Sequence, residues 1–355
     1  MISVPGNKRL IGMVSLALLA LAAAMSGMLR MGGYSPVQAL IALWAGSMGS
    51  WYSITSATLV RAVPLMLTGC AVAVAFRAGV FNVGAEGQLI IGAAAAACVA
   101  LWLPRAGTAG IVAALVAGCA AGSAWAGVAA VLRARFGVLE VISTIMLNFV
   151  ALHSVSYLVR GPLQEPTHIY PQSSSIPESL HLPRFAGAGR LHLGIVIAVV
   201  LLLACGWVFR SSAAGFRLRS VGESPTASAS AGLIDVRRTT MRAFLASGAL
   251  AGLAGATEVL GVTYALYENI SPGYGYTAIA VALLASLDPW RIVLSATLFA
   301  ALEAGASAMQ RDAGIPASLV SIIEASLILA VVGAQAVRLR FQVAVAPRDD
   351  VVSAE

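Results

Sequence analysis

The feature that most limits what this chain can become is a succession of apolar runs separated by short polar punctuation. A helix needs about 20 such residues to cross the hydrocarbon of a bilayer. Inside lipid, helices and closed barrels alone satisfy every backbone amide. The runs fall at 10–29, 59–76, 86–103, 109–132, 141–159, 191–209, 243–263, 276–287, 292–309 and 317–337. They predict an all-α polytopic membrane protein, a single transmembrane domain of about ten helices over 1–355. With 59% hydrophobic and only 10% charged residues, no soluble domain fits.

Charge sets the orientation. Twenty-one of the 22 basic residues are Arg, and they gather at Arg9, Arg133/Arg135, 210–242 and Arg338/Arg340. Basic loops stay cytoplasmic, so both termini are expected inside. The proline-rich stretch 160–190 is expected outside. Residues 30–58, with Tyr34, Trp44, Trp51 and Tyr52, read as an outer interfacial segment; an extra span at 38–57 is the alternative, and it would break the agreement of the basic loops with the inner side. Ala22–Ala24 would suit signal cleavage, yet a retained first span is the expectation. In so apolar a chain a +7 net charge reports topology and contact with membrane lipid, not nucleic acid.

Several chemistries are excluded or disfavoured. Cys70, Cys98, Cys119 and Cys205 lie in apolar runs without metal-ligand spacing, and the four histidines do not cluster. No metal or cofactor is expected. Lys8 is the only lysine, and no G-x-x-x-x-G-K-[ST] frame surrounds it. If ATP drives this protein, another subunit binds it. An intramembrane hydrolase would need a nucleophile paired with a base, and His153 has no evident partner.

The longest cytoplasmic stretch, 210–242, carries six arginines against Glu223 and Asp235. Ser224 can cap a short helix, Pro225 suits its first position, and Gly232 can end it. Asp235 is placed to cap the helix that returns to the membrane. This knob reads as a docking element, with a solvated loop as the bland alternative. Gly118/Gly122 and Gly248/Gly252 are small-xxx-small pairs that allow close helix packing.

Residues 79–88, GVFNVGAEGQ, break the helical pattern with three glycines and place Asn82, Glu86 and Gln88 at or near membrane depth. Such backbone must line a cavity or be covered by protein, and transporters build solute sites from broken helices. A tight cytoplasmic turn beside Arg77 is the alternative. Glu258, Glu303 and Glu324 lie roughly 10 Å inside predicted outer ends, at about 1.5 Å per residue, where charges rarely face lipid. Glu258 and Asn148 join Phe81, Asn82, Glu86 and Gln88 as pathway candidates. Tyr264, Tyr267, Tyr274 and Tyr276 read as anchors at the outer interface, with stacking on a flat ring as the alternative.

Five ordered motifs carry a resemblance: FRAGVFNVGAEGQLIIGA (76–93), EVISTIMLNFVA (140–151), GFRLRSVGESPTASASAGLIDV (215–236), ASGALAGLAGATEVLG (246–261) and GYGYTAIAVALLASLDPW (273–290). They resemble permease subunits of bacterial ABC importers in the ribose/branched-chain amino acid permease superfamily, with the purine-nucleoside branch nearest. The resemblance implies a type II-like ABC importer permease fold in the inner membrane, working by alternating access. It implies three partners: an ABC ATPase with two nucleotide-binding domains, a second and different permease chain, and an extracytoplasmic solute-binding lipoprotein. The segment Gly222, Glu223, Ser224, Pro225, Thr226, Ala227, Ala231 and Gly232 matches the family's coupling helix. ASLDPW (285–290) departs from nucleoside-type relatives, which usually carry Gly, Arg and Asn-Asn before the proline. A sugar is the alternative solute, and an ion-coupled carrier the alternative mechanism.

Overall fold

A computed structural model describes residues 19–330 except 21, 233, 324 and 327, together with 333. Glu324, Arg338, Arg340 and half of the predicted first run lie outside the described residues. The helices in chain order are α1 (Pro36–Ser47), α2 (Trp51–Arg77), α3 (Ala85–Trp102), α4 (Gly107–Phe136), α5 (Glu140–Arg160) and α6 (Gly194–Ser211). Then come α7 (Ala213–Glu223), α8 (Pro225–Ser230), α9 (Val236–Thr263), α10 (Tyr274–Leu284) and α11 (Pro289–Asp312). Among the described residues seven helices, α2–α6, α9 and α11, are long and apolar enough to cross a membrane. Three apolar helices are shorter: α1, α10 and Ala317–Ala330.

The chain divides into two compact units. The larger is Ser47–Ala304, and the smaller comprises the described parts of Met1–Gly46 and Gly305–Glu355. In the smaller, Leu29, Ala39, Ala42, Met309, Ile315 and Ile323 form one apolar cluster. At the centre of the larger, α3, α4 and α9 pack backbone to backbone. A Cβ at Gly92 or Gly122 would overlap the backbone at Gly252 or Gly248. The two small-xxx-small pairs read from the sequence therefore face one another across this crossing, where only a missing side chain permits the approach.

Three expectations need correction. The span expected at 59–76 starts at Trp51, so Trp51 and Tyr52 form its first turn, and 36–47 is helical too. Ser50 caps that turn, accepting the Ser53 N–H at 3.0 Å, and a π turn at Ile54–Thr58 continues it. The π turn buries the Thr58 hydroxyl, which donates to Ser47 O at 2.7 Å. The run 276–287 is not a full span: α10 has 11 residues, about 16 Å at 1.5 Å per residue. Residues 213–223, read as loop, form α7, because Ser212 caps it by accepting the Gly215 N–H at 3.1 Å.

The segment 161–193 folds over the far end of α9 from the knob. Ser173 N and Leu182 N donate to Leu266 O and Leu260 O. Arg160 and Ser156 hold Glu268 at 2.7 and 2.6 Å. Those two donors keep the Glu268 carboxyl below its ordinary range, Arg160 first.

Candidate functional site

The site grows out of the break between α2 and α3. Helix α2 stops at Arg77, Gly79 adopts a left-handed φ of 69°, and residues 80–83 form an irregular turn, with Asn82 N donating to Val80 O, before α3 begins at Ala85. The Asn82 side chain organises this stretch. Its Oδ1 accepts the Gly84 N–H and the Gln88 amide, both at 3.0 Å, and its Nδ2 donates to Gln88 Oε1 and Ser247 Oγ. Asn148 on α5 does the same from the other side. Its Oδ1 accepts the Gly87 N–H at 2.9 Å, while its Nδ2 donates to Val83 O and to the Tyr276 hydroxyl. Two primary amides thus replace the backbone partners that the broken helix lacks.

Glu86 joins this knot to α10. Its Oε2 accepts the Gly275 N–H at 2.7 Å, just beyond Ser271. The Ser271 hydroxyl in turn accepts from Gly273 N and Tyr274 N at 3.2 and 3.1 Å. The first turns of α3 and α10 therefore meet, with one buried carboxylate between two helix N-termini where negative charge is favoured. The other end of α10 leads to Leu287, whose carbonyl accepts Arg77 Nε–H at 3.0 Å. Glu86 is thus one α10 length, about 16 Å, from the Arg77 level. Two helices begin within the bundle, an arrangement that presents free backbone amides to a solute.

Of the predicted pathway residues, the fold brings together Phe81, Asn82, Glu86, Gln88 and Asn148 and leaves Glu258 apart. Asn82, Gln88, Asn148 and Glu86 are buried, whereas Phe81 is 55% and Tyr276 46% exposed. The polar residues brace the break, and the rings face outward from it. Glu258 lies at the start of the π turn Val259–Thr263, within electrostatic reach of Arg61 and Arg190. Tyr274 and Tyr276, expected at the outer interface, sit instead at the start of α10. The reason is that 264–273 carries the chain back inward before α10 begins. Ser247, Ser271 and Gly275 were not anticipated. Only Ser271, in Ser-Pro-Gly, leaves a local sign, that of a helix cap.

The knob has the local geometry its sequence predicted. Ser224 Oγ accepts the Ala227 N–H at 3.2 Å with Pro225 at the first position. Gly232 has φ 68°, and Asp235 Oδ1 accepts the Arg238 N–H at 2.9 Å. The last turn of α7 bears directly on the break, for a Cβ at Gly222 would overlap the Arg77 carbonyl and crowd Gly79 N. Around this contact, Arg77 lies 4.8 Å over the Phe209 ring and Arg210 pairs with Asp288 at 2.8 Å. Arg219 donates to Phe209 O.

One helix face carries polar groups without cover from this chain. Met146, Phe149, His153 and Tyr157 of α5 are exposed in one stripe. A shallow concavity of about 570 Å³ lies against Phe149, Val150, His153, Ser154, Tyr157 and Leu158.

Comparison with known proteins bears on this geometry. The family described as branched-chain amino acid transport system / permease component matches residues 54–332. The chain is 39% identical over 310 residues to the guanosine ABC transporter permease protein NupP of Bacillus subtilis, covering 86% of this chain and 88% of that one. It is 38% identical to the glucose ABC transporter permease protein TsgB13 of Haloferax volcanii, covering 83% and 80%. It is 31% identical to the nucleoside ABC transporter permease protein NupB of Lactococcus lactis, covering 83% of each. No solved structure matches the chain.

Proposed function

The chain belongs to the branched-chain amino acid transport system permease-component family and is the non-catalytic, multi-pass membrane subunit of an ABC transporter; from that premise we propose that it imports a nucleoside. The observation that carries this reading is the meeting of α3 and α10 at Glu86 and Gly275, with the rings of Phe81 and Tyr276 exposed beside it. A flat base can stack on such rings, and a ribose can bond the backbone amides of a broken helix. Two relatives named for guanosine or nucleoside transport support the same choice. Phe81 and Tyr276 contact the solute, while Asn82, Gln88, Asn148 and Glu86 hold the break in shape. Glu258 lines the outer part of the path.

ATP is hydrolysed by a partner with two nucleotide-binding domains. The segment from Gly222 to Gly232 docks on it, and the Gly222 contact passes its movement to the Arg77–Gly79 backbone. A lipoprotein delivers the solute at the opposite face. A second, different permease chain covers the α5 stripe, since His153 at mid-span would be costly against lipid. The complex sits in the bacterial inner membrane with both termini inside.

The test is uptake of labelled guanosine and glucose in cells expressing the complete transporter. Guanosine uptake should exceed glucose uptake at least tenfold, stop on ATP depletion, and persist with an ionophore. Tyr276→Ala should lower guanosine uptake about tenfold. Preferred uptake of glucose would favour the sugar reading that the Haloferax relative raises. Collapse with the ionophore alone would overturn ATP coupling.

A further inference from the structure

The knob-side end of α6 and the start of α11 meet at one carboxylate. Asp288 caps α11, its Oδ1 accepting the Trp290 N–H at 3.2 Å. Its Oδ2 is approached by Arg210 Nη2 at 2.8 Å and by Arg291 Nε at 4.0 Å. The Trp290 indole fills the notch left by Gly206, where a Cβ would overlap it. Arg210 lies 5.1 Å from the centre of that ring. Arg77 and Arg219 reach the same corner through Leu287 O and Phe209 O, the carbonyls next in sequence to Asp288 and Arg210. Among the described residues, Asp288 is the one acid paired with any of these four arginines.

Four guanidiniums around one carboxylate leave an excess of positive charge. Arg77 and Arg219 are engaged on backbone carbonyls. Arg210 and Arg291 keep most of their hydrogen-bonding capacity. Both side chains are more than half exposed, and a guanidinium carries five N–H donors. Arg210 gives one hydrogen bond to Asp288, and Arg291, at 4.0 Å, is too distant to give any.

The neighbouring residues decide which anion meets them. Trp207 and Trp290 are exposed within one turn of the two arginines, and Trp favours the membrane interface. Deeper along the same faces, Val200 and Leu203 of α6 and Leu294 and Leu298 of α11 are exposed as well. Apolar faces of this kind in a membrane protein meet acyl chains. Arginines at the border of such faces meet lipid headgroups, and basic pockets between helices on the cytoplasmic side suit anionic ones.

We propose that Arg210 and Arg291 hold the phosphodiester of an anionic phospholipid from the leaflet on the knob side. The phosphate oxygens accept from the two guanidiniums, an arrangement arginine favours over lysine. The acyl chains lie along the exposed apolar faces of α6 and α11. The headgroup bridges the ends of these helices from outside, as Asp288 does from within.

The test uses the complete purified transporter, stripped of lipid in detergent, titrated with phosphatidylglycerol or phosphatidylcholine and read by native mass spectrometry. Phosphatidylglycerol should bind at least tenfold more tightly. Arg291→Gln should lower its affinity about fivefold. Arg135→Gln, an exposed arginine at the same side of the membrane, should leave it unchanged. Arg210→Gln should lose as much as Arg291→Gln, but it also breaks an ion pair, so Arg291→Gln carries the decision. Equal binding of the two lipids, or an equal loss in Arg135→Gln, would overturn the site. Glycerophosphoglycerol, the headgroup without chains, should fail to displace the lipid at equal concentration. Displacement there would make this a site for a soluble phosphate and overturn the lipid. Loss of the ATPase subunits in Arg291→Gln, with lipid affinity unchanged, would assign the arginines to that partner instead. No solute enters these measurements, so they stand or fall apart from the nucleoside reading.

Discussion

The helical ladder is interrupted at two places, and they are mended by different means. At the inner break, 78–84, side chains do the mending: Asn82 and Asn148 together serve Gly84 N, Gly87 N and Val83 O. At the outer break, which follows the π turn at Val259–Thr263, the segment 161–193 does it, its backbone bonding Leu260 O, Tyr264 O and Leu266 O. The inner break touches the knob through Gly222, and the outer break is tied to its cover and, through Glu268, to the end of α5. A break that relays movement needs short, local partners that travel with it. A break that stays put can be held by a long loop from elsewhere in the sequence.

The largest effect should come from the inner amide. Asn82→Leu keeps the branched outline but leaves the Gly84 N–H and both ends of the Gln88 amide without their bonds. Each buried polar group stripped of its partner costs about 1–3 kcal/mol. The variant should lose about 3 kcal/mol or more and all solute uptake. Thermal unfolding of the purified protein in detergent checks the first, and the guanosine assay the second. Near-normal stability would mean that the break is not held by Asn82.

The outer break should instead be sensitive to pH. His192 is buried beside Gly194 and Gly261, and its Nδ1 accepts the Gly194 N–H at 3.2 Å. The ring is therefore neutral with its proton on Nε2, a buried donor with no partner. Burial, then Arg184 and Arg190, push its pKa down from 6.5 to about 4. The unfolded chain takes up a proton that the folded one refuses. The stabilisation is complete above about pH 6.5 and is lost as pH falls toward 4. It amounts to about 3.5 kcal/mol at most, from about 1.4 kcal/mol per pH unit. Unfolding midpoints between pH 7.5 and 4.5 should fall, and His192→Phe should flatten the slope. An equal slope in both proteins would remove His192 from the account.

The two breaks also differ in how far they could be read in advance. Ser224, Pro225, Gly232 and Asp235 declared the knob because a cap acts within a few residues of itself. Gly118/Gly122 and Gly248/Gly252 declared close packing for the same reason, although not that they would face one another. The apolar runs placed most long helices within a few residues. They misplaced the start of α2, because Trp51 and Tyr52 belong to the interface by type but to a helix by hydrogen bonding. Asn82, Glu86 and Gln88 were legible as polar residues at depth. Their roles were not, since Glu86 finds Gly275 across 189 residues of sequence. That pairing also decides that α10 begins inside the bundle, which no local periodicity can announce.

The smallest effect tests whether strain is stored on both sides. Leu287, inside, and Tyr264, outside, have φ of 57° and 55°, a conformation that costs ordinary L-residues about 1–2 kcal/mol and Asn less. Leu287 is held there through its carbonyl, which accepts from Arg77 whatever the side chain. Leu287→Asn should therefore keep that bond, relieve strain and raise stability by about 1 kcal/mol at most. Tyr264 is held through its ring, which stacks on His181 at 3.8 Å and accepts from Arg184 at 2.8 Å. Tyr264→Asn relieves the same strain but discards those contacts, so it should lower stability by about 1–2 kcal/mol. Opposite signs in the two unfolding midpoints follow from one side gripping the backbone and the other a side chain. The same sign in both would mean that the two breaks are anchored alike.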